Sequence, residues 1–556
     1  MEKIKVDNLS FSYPLSERMA LDGVSISIFE SEFVVLCGKS GCGKSTLLKH
    51  LKKNMNPYGD KSGAVYFDGT DISEMDDKEA VTKIGYVQQN PDNQLVTDKV
   101  WHELAFGLEN LGYSNSVIKR RVAEMASYFG IQTWFRKSVS ELSGGQKQLL
   151  NLASVMVMQP EVLILDEPAS QLDPIAATEF LNTIYRLNRE LGTTIVISEH
   201  RLEEIFPLSD RALVMENGKI IANAKPDEVA IKLAGSKGED DVNPMYYGMP
   251  PVMKMFPREL ALKQERLPMT IREGRLLMES LISEGVLELA KSEIPNTAPY
   301  VSEDERKSVV SLKNLYFRYS KSGADVLRGL SVEIREGQLH CILGGNGSGK
   351  STLLKAICGI IKPQSGKIKI PDGCRVSMVP QNPQALFTEI SCEEEVLEGM
   401  AYQNIELEEK VDRTENMLSL MEIEHLRKAN PYDLSGGEQQ RLAIAKIMVS
   451  NPDIILLDEP TKGLDPFFKR SLGRILKALC AEGKTVFMVS HDVEFCADFG
   501  DCCMMFFDGE ITAIGRSREF FSGNSFYTTV ENKLTRKWQD GIVTGEEARA
   551  WIKSLL

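Results

Sequence analysis

Two glycine-rich loops of the chain have the residue types and spacing that bind phosphate groups. The stretches GKSGCGKST and GGNGSGKST both fit G-x-x-x-x-G-K-[ST], and each lies between a short apolar run and the helical start STLL. Glycines let successive backbone N–H groups turn toward a phosphate, and the following helix adds its positive N-terminal end. The lysine is expected to reach the β- and γ-phosphates and the serine to bind Mg²⁺. The predicted phosphate-binding residues are Gly38, Lys39, Ser40, Gly41, Cys42, Gly43, Lys44, Ser45 and Thr46 in the first loop and Gly344, Gly345, Asn346, Gly347, Ser348, Gly349, Lys350, Ser351 and Thr352 in the second.

A pair of acids follows an apolar run downstream of each loop, in VLILDEP and IILLDEP. A buried strand would place the first carboxylate, Asp166 or Asp458, beside the metal, where it can hold Mg²⁺ through water. The second, Glu167 or Glu459, is predicted to act as a general base on the attacking water. Acid pairs at strand ends are often turn formers, but their recurrence downstream of both loops favours catalysis.

Two further polar residue types recur in both halves. His200 and His491 follow apolar strands, 34 and 33 residues after the first acid of each pair, and are predicted to contact the γ-phosphate. Gln89 and Gln381 stand in YVQQNPDNQL and MVPQNPQALF. They are predicted to position the metal or the water and to sense the γ-phosphate, the alternative being a polar turn before proline.

Aromatic residues near the start of each half are candidates for stacking on a base. Tyr13 lies in FSYP and Tyr319 in FRYS. Since an aromatic residue in a strand is more often part of a core, stacking on adenine is the functional alternative to a structural role.

The elements that must position these residues occur twice. From the glutamine to the serine of LSGG is 54 residues in both halves, and from that serine to the first acid is 23 in both. From the loop lysine to the glutamine is 45 residues in the first half and 31 in the second, which predicts a surface loop of different length. Both halves should therefore have the same α/β fold, in which a strand is followed by the glycine loop and the loop by a helix.

The composition bounds the domain organisation. We expect a first domain over 1–234, a helical appendage and linker rich in turn formers over 235–305, a second domain over 306–524 and a helical tail over 525–556. No apolar run of 18 or more residues and no signal-like start occur. The net charge of −14 without a long basic block argues against nucleic acid as a partner, and ten scattered cysteines without CxxC argue against a metal or disulfide framework.

Together, these motifs resemble those of ATP-binding subunits of ABC transporters. The resemblance rests on both glycine loops, both glutamine segments, LSGGQKQ and LSGGEQQ, both acid pairs, both LDP stretches and both histidines, and it covers about 450 residues. It implies two tandem P-loop NTPase (RecA-like) domains of α/β class, each with an antiparallel β-subdomain and a helical subdomain. ATP and Mg²⁺ are the implied ligands, and ATP hydrolysis is the implied activity.

In that family, two such units close head to tail, and the serine and glycines of LSGG contact the ATP held by the other unit. One chain with two copies would thus form an intrachain pseudo-dimer with two complete sites. The first site would pair the first glycine loop with the second signature segment, and the second site the reverse. The signature residues are Ser143, Gly144 and Gly145 in the first half and Ser435, Gly436 and Gly437 in the second.

Three stretches are similar to the cobalt-type and energy-coupling-factor ATPases. They are YVQQNPDNQLVTDKVWHELAFGLENLG, ISEHRLEEIFPLSDRALVMENGKI and GMPPVMKMFPRELALKQERLPMTIREG. This implies a peripheral protein at the cytoplasmic face of the membrane that powers uptake of a vitamin or metal ion with a transmembrane coupling protein and a substrate-binding membrane subunit. Residues 90–112 and 382–400 would dock the partner, with Asp92, Glu103 and Glu393 to Glu395 as candidates for meeting basic helices. Tandem sugar-importer ATPases and ribosome-associated translation-factor ATPases are the alternatives.

Two departures from the family pattern concern the first half. Leu149 stands where the second signature segment has Arg441, and ASQLDP replaces a commoner form to which TKGLDP is closer. Because both glutamates and both histidines are present, both sites are expected to hydrolyse ATP, and the second site is expected to be the slower one.

Overall fold

The structure is a computed structural model that describes residues 1–14, 18–170, 172–233, 243–257, 260, 266–289, 306–345 and 347–556. The chain divides into two compact units, Met1–Glu273 and Gly274–Leu556. The division falls inside the predicted linker segment, much of which lies outside the described residues, as do Asn346 and Gln171. No helix within the described ranges has both the length and the apolar character needed to cross a bilayer.

The first unit contains two sheets. Its strands are β1 (Glu2–Ser12), β2 (Leu21–Phe29), β3 (Phe33–Gly38), β4 (Asp60–Phe67), β5 (Thr70–Asp71), β6 (Ile84–Val87), β7 (Val162–Asp166), β8 (Thr194–Ser198), β9 (Arg211–Glu216) and β10 (Lys219–Ala224). One sheet is antiparallel with the order β2-β1-β4-β5, and the other has the order β10-β9-β3-β8-β7-β6. In the larger sheet only β9 and β10 pair antiparallel. Its central strands are buried throughout, as their unbroken apolar sequences predict.

Helices cover this sheet and form a separate helical layer. They are Lys44–His50, Asp77–Lys83, Val100–Asn110, Asn115–Tyr128, Gly144–Met156, Pro174–Leu191, Leu202–Ile205, Pro226–Leu233 and Pro251–Met255. Val100–Asn110, Asn115–Tyr128 and Gly144–Met156 pack on one another and form the predicted helical subdomain.

The segment between Lys44 and Gln89, which is longer than the equivalent segment of the second half, is not a plain surface loop. It contains β5 and the helix Asp77–Lys83, which Asp76 caps by accepting the N–H groups of Lys78 and Glu79. Ala80 of this helix is fully buried against the core of the unit. The length difference therefore corresponds to an ordered strand and helix, because the inserted residues carry their own cap and apolar anchor.

The second unit repeats the plan with fewer antiparallel strands. Its strands are β11 (Ser308–Phe317), β12 (Leu327–Arg335), β13 (Leu339–Leu343), β14 (Ser365–Lys369), β15 (Val376–Val379), β16 (Ile454–Asp458), β17 (Thr485–Val489), β18 (Cys502–Phe507) and β19 (Glu510–Arg516). The sheet orders are β12-β11-β14 and β15-β16-β17-β13-β18-β19. As in the first unit, only the last pair of the larger sheet is antiparallel.

The helices of this unit include part of the predicted linker. They are Ile271–Ser283, which crosses the division between the units, Lys350–Ile357, Cys392–Glu398, Leu407–Leu420, Gly436–Met448, Pro466–Ala481, Val493–Phe499, Ser517–Gly523, Val530–Thr535 and Gly545–Ser554. Arg275 donates to the carbonyl of Lys533, and Glu288 donates its N–H to the carbonyl of Leu555 at 2.8 Å. From Gly274 onward the segment thus packs on the C-terminal tail.

Candidate functional site

Parallel strands bring the site residues of each unit to one edge. In the first unit, β3, β7 and β8 run in the same direction and end at the glycine loop, at Asp166 and at Ser198. The register pairs Asp166 with Ser198, so His200 follows two residues beyond the end of β8. Polar residues that follow neighbouring parallel strands meet at the carboxyl edge of the sheet, where ligands bind in open α/β folds.

The glycine loops lead directly into helices. Gly43 and Gly349 cap the helices with φ of 106° and 113°, in the left-handed region that favours glycine. A Cβ at Gly43 would lie 2.3 Å from the carbonyl oxygen of Ala20, so glycine is also required sterically. The nearby lysine, Lys44, is buried and donates to the carbonyls of Gly38 at 3.0 Å and Lys39 at 3.1 Å.

Lys350 repeats this arrangement in the second unit. Its Nζ donates to the carbonyls of Gly344 at 2.9 Å and Gly345 at 2.8 Å. Both lysines therefore lie against the backbone of their own loops. Each is already desolvated at the place where the motif predicts phosphate.

Asp166 and Asp458, the first acids of the two pairs, differ in their hydrogen bonds. Asp166 accepts from the hydroxyl groups of Ser45 at 2.9 Å, Ser198 at 2.9 Å and Tyr86 at 3.1 Å. Burial and the neighbouring charge of Glu167 raise the pKa of Asp166, and these three hydrogen bonds oppose the shift. Neither Ser198 nor Tyr86 was predicted as a site residue, although each lies within or beside a motif, because nothing in the local sequence marks its hydroxyl group as a partner of Asp166.

Asp458 has fewer partners. The hydroxyl of Ser351 donates to it at 3.1 Å, and Val489 and Met378 stand where the first unit has Ser198 and Tyr86. Burial raises the pKa of Asp458, and the hydrogen bond from Ser351 opposes it. In both units a serine hydroxyl and a carboxylate oxygen thus lie side by side, which is the hard-oxygen donor set that suits Mg²⁺.

Glu167 is the centre of the first site. Its φ of 45° is left-handed, a conformation that costs a non-glycine residue roughly 1–3 kcal/mol and that recurs at functional sites. Its carboxylate lies 2.9 Å from Nε2 of His200, 3.0 Å from Nε2 of Gln89 and 3.6 Å from Nζ of Lys44. Burial alone would raise the pKa of Glu167, but His200 and Lys44 hold it at about 2.

Glu459 has the same backbone conformation and one of the same partners. Its φ is 56°, and its carboxylate lies 2.9 Å from Nε2 of His491. Gln381 is exposed, and no hydrogen bond among the described residues joins it to Glu459. The structure therefore brings glutamate and histidine together in both units and glutamine to the glutamate in the first.

The predicted tyrosines and the first residue of each signature segment are exposed. The hydroxyl of Tyr13 lies 3.1 Å from that of Thr46, and Tyr13 is 39% exposed. The hydroxyl of Tyr319 lies 3.0 Å from that of Thr352, and Tyr319 is 65% exposed. Both tyrosines thus stand beside a glycine loop, and their rings are accessible for stacking. The signature segments begin helices. Exposed Ser143 and Ser435 are the N-caps of Gly144–Met156 and Gly436–Met448, each in a capping box.

The acidic residues expected to meet a partner are largely satisfied inside the chain. Glu103 is buried and accepts the N–H groups of Val96 and Thr97. Glu395 is fully buried and pairs with Lys446 at 2.6 Å. The other pairs are Asp92 with Lys147 and Glu393 with Arg427. Buried carboxylates require such partners, so the expectation of acidic docking residues is wrong for Glu103 and Glu395.

Comparison with known proteins places the chain in one family. The ABC transporter family model matches residues 21–170 and 327–462. A Bacillus cereus protein named "Putative ABC transporter ATP-binding protein" is 40% identical over 98% of this chain and 97% of its own length. A Methanosarcina mazei protein of the same name is 33% identical over 93% of this chain and 90% of its own length.

One similar solved structure is that of the archaeal ribosome recycling factor aABCE1 in complex with the archaeal ribosomal stalk protein aP1. The two chains superpose with a TM-score of 0.56 and are 21% identical, and the match covers 93% of this chain and 91% of aABCE1. This likeness concerns the fold alone. The tandem P-loop NTPase fold predicted from the sequence is confirmed. ATP hydrolysis is the general activity of proteins with these domains, which bind ATP, generally with Mg²⁺. The chain therefore belongs to the ABC transporter family of ATP-binding, ATP-hydrolysing proteins.

Proposed function

We propose that this chain is the ATP-hydrolysing subunit of an importer of the energy-coupling-factor or cobalt type. The observation that carries the proposal is the exposure of apolar side chains on the two segments that follow Gln89 and Gln381. Val96 and Trp101 are 70% and 45% exposed in the first segment, and Ile390 is 76% exposed in the second. Because Glu103 and Glu395 are buried and bonded within the chain, we take the exposed apolar side chains as the main contacts that these segments offer a partner.

The partners are a transmembrane coupling protein and a substrate-binding membrane subunit, and the chain acts at the cytoplasmic face of the membrane. The three stretches similar to the cobalt-type and energy-coupling-factor ATPases support this choice, and the transporter names of the relatives agree with it. We also keep the domain limits 1–234, 235–305, 306–524 and 525–556 as part of the proposal.

In each site the chemistry follows from the donors around the glutamate. Lys44, His200 and Gln89 all lie near the carboxylate of Glu167. A γ-phosphate offers these donors a stronger anion and draws them away from the carboxylate. Losing those contacts removes what holds the pKa of Glu167 at about 2, and a carboxylate with a higher pKa is a better general base for the attacking water.

The second site repeats these roles with Lys350, His491 and Glu459. Ser45 with Asp166, and Ser351 with Asp458, would hold Mg²⁺, with Gln89 and Gln381 as further ligands. The metal supplies neutralisation of the charge on the β- and γ-phosphates. Tyr13 and Tyr319 stack on adenine, and the signature segment of each half completes the site of the other in an intrachain pseudo-dimer.

Affinity purification of the tagged chain from gently solubilised membranes, followed by mass spectrometry, tests the biological role. The proposal expects a small multi-span coupling protein and a second membrane subunit, whose identity would reveal the substrate. A matched sample of Trp101→Asp should lose both, because a charge replaces the exposed ring on the docking segment. Recovery of ribosomes without membrane proteins, or of a sugar-type permease, would overturn the importer type and leave the ATPase chemistry standing.

A further inference from the structure

The histidine-bearing loops of the two units differ at one buried position. The register pairs Asp166 with Ser198 in the first unit and Asp458 with Val489 in the second. His200 and His491 are therefore equivalent, and the one-residue difference in spacing lies between the acid and the strand, where the helices Pro174–Leu191 and Pro466–Ala481 differ in length. By the same register, Glu199 of the first unit stands where the second has Ser490.

Glu199 is a buried acid that none of the proposed ATPase steps uses. It is 1% exposed. Its Oε1 accepts the N–H of Ala169 at 2.9 Å, and its Oε2 accepts the N–H of His200 at 3.0 Å. One carboxylate thus bridges the loop after Glu167 and the loop that carries the histidine. Burying a carboxylate costs free energy unless hydrogen bonds satisfy it. The two N–H donors therefore explain why an acid is tolerated at this buried position.

A second bond joins the same two loops. Nη2 of Arg201 donates to the carbonyl of Leu172 at 2.9 Å. Ala169 and Leu172 of the first unit are therefore each bonded to a side chain next to His200 in the sequence. Each bond is made to backbone, so the geometry does not depend on the side chains of these two residues.

In the described part of the second unit, the uncharged Ser490 takes the place of this carboxylate. The hydroxyl groups of Thr461 and Ser490 lie 3.4 Å apart, a long contact between two uncharged groups. Asp492, equivalent to Arg201, caps its own helix by accepting the N–H of Phe495 at 3.0 Å and pairs with Lys469 at 2.7 Å.

We propose that Glu199 and Arg201 are positioning residues of the first site, which fix the backbone of His200 relative to that of Ala169 and Leu172. The inference rests on the proposed role of His200 at the γ-phosphate. Fixing the backbone N–H of His200 fixes the direction of its side chain toward Glu167, and a misplacement of about 1 Å in such a group can cost about 100-fold in rate.

The test uses the full chain with Glu459→Gln, which leaves turnover to the first site. Glu199→Ser, which copies the second unit, should lower kcat for ATP hydrolysis about 10-fold or more and change KM for ATP less than about 3-fold. Arg201→Ala should act in the same direction. Glu203→Gln is the control, because Glu203 is an exposed acid in the helix Leu202–Ile205 that follows the histidine loop, and its substitution removes the same charge. Unchanged kcat in Glu199→Ser overturns the proposal.

A double-mutant cycle separates positioning from a general loss of structure. If Glu199 acts through His200, the variant with both Glu199→Ser and His200→Ala should be no slower than His200→Ala alone. Losses that multiply in the double variant would overturn the proposal, and thermal unfolding checks that each variant is folded. A normal kcat for His200→Ala itself would mean that the proposed role of the histidine has failed. A slow His200→Ala with a normal Glu199→Ser would contradict the positioning role alone.

Discussion

Arg441 joins the second signature helix to the loop that precedes the helix Pro466–Ala481, and Leu149 takes its place in the first half. Its guanidinium donates to Asp465 at 3.2 Å and lies 3.9 Å above the ring of Phe468. The side chains of Arg441 and Asp465 are 10% and 4% exposed, so both charges are largely removed from water. The variant Arg441→Leu copies the first half and leaves the carboxylate of Asp465 without this partner.

The expected cost follows from these contacts. A hydrogen bond between charged groups contributes about 1.5–3 kcal/mol, and a desolvated cation–π contact about 2 kcal/mol. A buried leucine side chain returns about 1.5–3 kcal/mol. Asp465 keeps the N–H groups of Phe467 and Phe468, which limits the penalty of leaving its charge buried. We expect a net loss of about 3 kcal/mol, at the lower end of the range for a broken buried pair.

Thermal unfolding followed by calorimetry measures this cost. At about 2–4 °C per kcal/mol, the transition of the second unit should fall by about 6–12 °C in Arg441→Leu. Glu422→Gln is the control, because Glu422 is the exposed partner of Arg441 at 3.7 Å and should matter by less than about 1 kcal/mol. A transition within about 1 °C of the unmodified chain in Arg441→Leu would refute the reasoning, since the pair would then contribute nothing.

Three further predictions concern Glu167 and Glu459. With both Glu167→Gln and Glu459→Gln, steady-state ATP turnover should fall at least about 100-fold, and normal turnover would contradict the assignment of the base. Of the single variants, Glu167→Gln should lower turnover more than Glu459→Gln. The reason is that the signature segment with Leu149 would serve the second site, which is expected to be the slower one. A larger loss in Glu459→Gln would show this expectation to be wrong. A carboxyl whose pKa is lowered from 4.5 to about 2 contributes stability above pH 4.5 and loses it as the pH falls toward 2. Thermal unfolding should therefore show Glu167→Gln destabilised by about 3 kcal/mol at pH 7 and by less at pH 3, and an equal difference at both would contradict the shift.

The sequence by itself determined the chemistry and the duplication. The glycine loops are local structures, since glycine at Gly43 and Gly349 is required by the backbone of the loop itself. The acid pairs at the ends of β7 and β16 follow short apolar runs, which are typical of buried strands. Equal spacings in the two halves then predicted equal folds, because a repeated pattern of strands and helices packs in the same way.

Only the tertiary structure decided how strongly each site residue is held. Ser198 and Tyr86 reach Asp166 from other strands, and Glu199 reaches Ala169 across the gap between β7 and β8; no local pattern encodes such contacts. The burial of Glu103 could likewise not be predicted, because the sequence does not show whether backbone N–H groups will donate hydrogen bonds to a carboxylate. Strand register and burial are properties of the packed chain, and they make the two similar halves different at their centres.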